Sequence, residues 1–273
     1  MRLNQRQKAR ILLILSFLFL AGVAIAGRLC HEASLVTDFS RKDLPPSLLY
    51  PFGTDWLGRN MLYRTLTGLS MSILIGVCAA AVSAVMAMIL GIAAATLGKK
   101  VDSVITFLID TVMGIPHILL LILISYAVGK GLKGVVIGVA LTHWTSLTRL
   151  IRSEVLQLRE SEYIQIAGKL GHGNMEIAIK HMVPHLLPQF IVGLVLMFPH
   201  AVLHESSVTF LGFGLSAEQP AIGIVLSESL RYLIMGRWWL ALFPGLMLVL
   251  TVVLFDLGGT SLRRLLDPGS VHE

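Results

Sequence analysis

The residues of this chain best suited to chemistry are histidines set in apolar surroundings. The stretch HAVLHE puts His200 and His204 four residues apart, with Glu205 directly after. On a helix, positions i and i+4 share a face, and two imidazoles so spaced can ligate one metal ion. His143 stands in another apolar stretch. The order is not HExxH, which argues against a zinc peptidase. Two readings stay open. One is a transient metal site, and the other is a set of histidines that hydrogen-bond between helices or line a path through them. His181 and His185 repeat the spacing in a polar stretch, where a structural or docking role fits better than metal. Cys30 and Cys78 lie far apart and give neither a disulfide nor a metal site. Met113 and Met197 read as filling rather than as a copper path.

Membrane-spanning helices must position these residues. Of 273 residues, 55% are hydrophobic and 14% charged, and the mean hydropathy is +0.78. A soluble domain carries about 25% charged residues. Long apolar runs in so charge-poor a chain define an all-α integral membrane protein. The net charge of +6 comes without aromatics interleaved along a basic groove, which excludes nucleic acid as a partner. Arg2, Arg6, Lys8 and Arg10 precede an apolar run, as in a signal peptide. That run is long for a signal peptide and more spans follow, so it reads as a first membrane anchor.

Six spans are expected, at residues 11–27, 70–97, 104–128, 134–150, 189–211 and 239–257. Each is near the roughly 20 residues that a bilayer core requires. Asp110 sits within the third, shortly before Gly114, Ile115 and Pro116, which mark a helix break. Arg149 and Arg152 read as snorkelling ends of the fourth. Lysine and arginine are richer on one set of connecting segments, which by the positive-inside rule puts both termini and residues 160–188 in the cytoplasm. The other set includes residues 28–69, with Pro45, Pro46, Pro51 and Gly53, and residues 212–238, which open on a second Gly/Pro loop. The chain divides into an N-terminal span with its extracytoplasmic loop (1–69), a core transmembrane domain (70–257) and a cytoplasmic tail (258–273).

Residues 160–188 cannot cross a bilayer, yet both halves have helical periodicity. Tyr163, Ile166, Ala167 and Leu170 fall at i, i+3, i+4 and i+7, and Gly171 follows where a C-terminal glycine ends a helix. Met175, Ala178, Ile179 and Met182 form a second stripe, and Pro184 and Pro188 are expected to end it and start the fifth span. This is either a solvated connecting loop or a helical knob that docks into a partner's groove.

The stretch resembles the signature loop of the membrane subunits of binding-protein-dependent ABC importers. That signature is Glu-Ala-Ala, three residues, Gly, nine residues, then Ile-x-Leu-Pro. Here it falls on Gln165, Ile166 and Ala167, then Gly171, then His181, Met182, Val183 and Pro184. Ala167, Gly171 and Pro184 match, while Gln165, Ile166 and His181 depart. PFGTDWLGRNMLYR, HESSVTFLGFGL and FDLGGTSLRRLLDP resemble segments of the dipeptide/oligopeptide/nickel branch, in its C-type permease subunit.

The resemblance implies a type I importer permease fold with six transmembrane helices in a bacterial or archaeal cytoplasmic membrane. It implies a homologous second permease, two cytoplasmic ATP-binding subunits and an extracytoplasmic substrate-binding protein as partners. Glu162, Gln165, Ala167, Gly171, His181 and Pro184 would then couple to the ATPase. His143, His200, His204 and Glu205 would face the translocation path of nickel, a metal chelate or a di- or oligopeptide. No metal ligand is firmly assigned. The chain has no GxxxxGK[ST] loop, so ATP hydrolysis falls to partners and no cofactor is expected. Other classes remain: a polytopic membrane enzyme using His200, His204 and Glu205, or an ion-coupled secondary transporter.

Overall fold

The computed structural model describes residues 4–216 and 218–266, except for the side chain of Asn174. Arg2, and Asp267 and Pro268 of the C-terminal motif, lie outside them. Five helices among the described residues are long and apolar enough to cross a membrane: α1 (Gln5–Leu29), α3 (Met61–Thr96), α6 (Leu132–Arg159), the helix Met175–Phe210, and α11 (Trp239–Leu266). A sixth span is formed by α4 (Lys99–Gly114) and α5 (His117–Val128), which meet at 101°. The expected third span is therefore not one straight helix. Pro116 has no N–H to donate and restricts Ile115 to extended backbone, so the helix stops where the sequence places that break.

α3 is the central post. At 36 residues and 1.5 Å per residue it is roughly 54 Å long. It packs on α6, α9 (Val183–Phe210) and α1. The contact with α6 is lined by small residues, which let helix backbones approach where lipid supplies no hydrophobic drive. A Cβ on Gly91 would stand 2.7 Å from Ile151 Cγ2 and 3.1 Å from the Thr148 carbonyl. The Ser83 hydroxyl donates to the Ala140 carbonyl at 2.7 Å in the same contact. Thr67 and Ser70 donate to the Gly27 and Ala24 carbonyls and fasten α1 to α3.

At the start of α3, residues 36–60 and α10 (Ile222–Leu233) form a compact plate. α2 (His31–Leu35) leads into it. Residues 36–60 are turn-rich, but the expected 28–69 segment is helical at both ends, and the second 212–238 segment is more than a loop, since α10 occupies its middle. Asp55 is fully buried and binds Arg59 at 2.7 Å and Arg64 at 2.8 Å. Arg64 also reaches Glu228 of α10 at 2.8 Å. Trp56 stacks on Tyr232 with centroids 4.5 Å apart and planes 6° from parallel. Gly58 adopts φ +74°, and a Cβ there would meet the Asp38 carbonyl oxygen at 1.8 Å. The Ser40 hydroxyl and amide donate to Asp38 and hold its carboxyl below the usual carboxylate range. Asn60 caps α3 by accepting from the Leu62 amide at 2.9 Å.

At the far end of α3, Arg159 donates to the Ala95 carbonyl, fixing the end of α6 beside the end of α3. Between α4 and α6, Asp102 holds Arg152 through two bonds of 2.5 and 2.7 Å, and Asp110 holds Arg149 at 2.5 Å. These arginines are ion-paired to α4. Both helical segments extend past the expected spans: α3 begins at Met61 instead of 70, and α11 continues to Leu266 instead of 257.

Candidate functional site

Two places gather the residues singled out in the sequence: an elbow between α6 and α9, and a cavity among α4, α5, α6 and α9. The elbow comprises α7 (Glu162–Lys169), a turn, α8 (Asn174–Ile177) and a π-helical segment (Ala178–Met182). At the turn, the His172 amide donates to the Ala167 carbonyl at 3.2 Å and the Gly171 amide to the Gly168 carbonyl at 3.1 Å. This pair of bonds closes a helix through a left-handed residue, and Gly171 is that residue at φ +92°.

The elbow's apolar residues do not form one buried stripe on each half. Ile164 and Ala167 on α7, and Ile177, Ala178 and Met182 beyond the turn, join the core beneath. Tyr163, Ile166, Leu170, Met175 and Ile179 are exposed, Leu170 at 74%. The elbow is thus seated on one side and apolar on the other. Glu162 and Gln165 are exposed, and Gln165 Nε2 donates to the Glu160 carbonyl at 3.2 Å. The His181 ring stands 6.4 Å from that of Tyr163. Glu176 lies between Lys180 at 2.8 Å and His172 at 3.1 Å.

Pro184 and Pro188 do not stop the second helix, which runs unbroken from Met175 to Phe210. Pro184 lacks an N–H and would press on the carbonyl of Lys180 in a regular helix. The π-helical segment, which contains Lys180, ends two residues before it and widens the turn where the clash would fall.

The cavity has a volume of about 780 Å³. Its wall includes Gly114, Ile115 and Pro116 at the bend, His117 on α5, His143 on α6, and His200 and His204 on α9. His143 and His204 meet at the cavity, whereas His200, which the spacing pairs with His204, stands one turn away in the wall and outside the close histidine group. Glu205 is not in the wall. It is fully buried, and its carboxylate accepts from Thr209 at 3.0 Å and Ser206 at 3.2 Å. His117 carried no signal from spacing, because no histidine lies one helical turn from it. Its only sequence cue is the break directly before it.

His117, His143 and His204 each present a ring nitrogen within 4.8 Å of the others. Their centroids are 4.1 to 5.2 Å apart. His143 Nδ1 lies 2.9 Å from the Val139 carbonyl, which can only accept, so Nδ1 carries the proton. The lone pair is then on Nε2, which is buried and has no hydrogen-bond partner among the described residues. His117 Nδ1 is likewise buried and unpartnered.

Known proteins resemble this chain along most of its length. Residues 87–271 match the family described as binding-protein-dependent transport system inner membrane component. The dipeptide transport system permease protein DppC of Bacillus subtilis is 33% identical, covering 94% of this chain and 80% of that protein. The oligopeptide transport system permease protein OppC of the same organism is 31% identical, over 98% and 88%. Among solved structures, an inward-facing MetNI methionine ABC transporter chain superposes with a TM-score of 0.62 at 15% identity. It covers 76% of this chain and 98% of that one. That likeness supports the fold alone, a bundle of membrane-spanning helices.

Proposed function

This chain belongs to the binding-protein-dependent transport system inner membrane component family, and from that premise we propose how its two sites divide the work of an ATP-driven importer. The chain is a multi-pass permease subunit of such a transporter and works with other ABC subunits. In the proposed arrangement both termini and the elbow face the cytoplasm of a bacterial cell, beneath its inner membrane. Two ATP-binding subunits sit below and hydrolyse the ATP. A homologous permease completes the translocation path, and an extracytoplasmic binding protein delivers cargo at the plate.

The observation that carries this reading is the two-faced elbow. Exposed apolar residues on short helices that are themselves seated in a core are what a helix-in-groove contact needs. Glu162, Gln165, Ala167, Gly171, His181 and Pro184 form or shape that contact. Movement of the ATPases would pass through the elbow into α6 and α9, which it joins, and so into the cavity wall. His143, His200 and His204, with His117, face the path, while Glu205 braces α9 from behind. The core domain of residues 70–257 carries the path and the elbow. Residues 1–69 and 258–273 flank it. The cargo is a small molecule of the class that gives the relatives their names, short peptides, or a metal chelate with similar donor groups.

Co-purification tests the elbow. The chain expressed with its partner subunits should retain the ATP-binding subunits in detergent, and Gly171→Asp should release them and abolish uptake. Retention and full uptake by that variant would overturn the assignment.

A further inference from the structure

We propose that His117, His143 and His204 form a coordination site for a divalent transition metal that arrives as a complex with a small amine- and carboxylate-bearing chelator. This deepens the transport reading by naming a cargo chemistry, and it rests on that reading for its place in the path.

The geometry supplies three converging imidazoles from three helices. Imidazole nitrogen is a good ligand for zinc, nickel, copper and iron. The hydrogen bond from His143 Nδ1 to the Val139 carbonyl fixes the tautomer that leaves Nε2 free to ligate, the outer-shell arrangement usual for metal-binding histidines. A buried polar nitrogen without a partner calls for an explanation, and two of the three rings have one. Packing alone would leave both orphaned. Three nitrogens on one face of a six-coordinate ion at about 2.1 Å stand roughly 3 Å apart. The present spread, up to 4.8 Å, is looser. A small closure would tighten the site and reopening would release the ion, as a transport path requires.

Charge argues for a chelate over a bare ion. Among the described residues no carboxylate lines the cavity, and Glu205 is committed to hydroxyl donors behind it. Three neutral imidazoles leave both charges of a dication uncompensated in a membrane-embedded site, which is costly. A chelator with two carboxylates cancels them. The volume of about 780 Å³ accommodates a complex of that size, since small-ligand pockets run from about 300 to 1,000 Å³. Binding would be ligand exchange: three waters leave the metal, and three imidazole nitrogens take their positions.

The test uses the transporter complex in lipid nanodiscs and three nickel probes. Ni²⁺–iminodiacetate is neutral with open positions, Ni²⁺–EDTA is coordinatively saturated, and Ni²⁺ alone is the bare ion. Ni²⁺–iminodiacetate should bind, with imidazole nitrogen seen by X-ray absorption, and Ni²⁺–EDTA should not. His204→Gln and His143→Gln should each weaken binding at least about tenfold, whereas His31→Gln on α2 should leave it unchanged. Binding that survives both substitutions overturns the site. Bare Ni²⁺ binding as tightly as the chelate overturns the charge argument and makes the free ion the ligand. Gel filtration and ATPase activity of each variant show whether the complex remains assembled. If the chain captures no ATP-binding subunits, the transport reading fails, and the same three probes applied to the chain alone still decide the site.

Discussion

The plate at one end of α3 and the elbow at the other are both rich in charged residues, and they use them oppositely. In the plate, the central charges are buried. Asp55 is fully enclosed, Arg64 is 9% exposed, and each meets its counter-charge within 2.8 Å. In the elbow, charge stays in solvent and the apolar side chains of Tyr163, Ile166, Leu170, Met175 and Ile179 are the exposed ones. Buried ion pairs add little net stability but punish the loss of one member. They hold one arrangement of plate, α3 and α10. An exposed apolar face contributes nothing until something covers it. The plate is a closed structure, whereas the elbow leaves an apolar face uncovered.

The sharpest way to break the contrast is Asp55→Ala. It strands two arginines against Glu228 alone, and removing one member of a buried pair costs about 3–5 kcal/mol. Thermal unfolding in detergent should show a large loss of the folded chain, and uptake should fail with it. Gly171→Val should act in the other way. Among the described residues nothing lies within 4 Å of a Cβ there, so the cost is that of the left-handed backbone, about 1–2 kcal/mol. Stability should fall modestly while ATPase capture falls sharply. Leu170→Asp should leave stability within about 0.5 kcal/mol and still weaken ATPase capture. If it unfolds the chain instead, the elbow is a core element and the contrast disappears. Lys180→Ala should be smallest, since an exposed i, i+4 pair is worth about 0.3–0.5 kcal/mol. Its effect on unfolding should vanish at high salt.

Local features were legible and their partners were not. Gly171 announced the turn and Pro116 the bend, because left-handed backbone and a missing N–H are properties of single residues. Periodicity found apolar stripes on the elbow but not their fate. Ala167, Ala178 and Met182 went inward while Tyr163, Ile166 and Leu170 stayed out, because α3 and α6 decide which side is covered. Pro184 reads as a stop, but the preceding π-helical segment absorbs it. α10 was masked by the glycines and proline ahead of it. His117 escaped because its neighbours in space lie on other helices.

By itself, the sequence determined that this chain lives in a bilayer, roughly where its spans lie, and that its helices turn at Gly171 and Pro116. Apolar length, proline and glycine act within one or two turns of helix, so they can be read in order along the chain. Only the tertiary structure decided that Asp55 would be enclosed by two arginines, that one face of the elbow would remain open, and that three histidines would meet. Those outcomes depend on how small residues let α3 and α6 close on each other and on the 101° bend that turns α5 toward α9. Distances between helices are set by packing, which no single stretch of sequence contains.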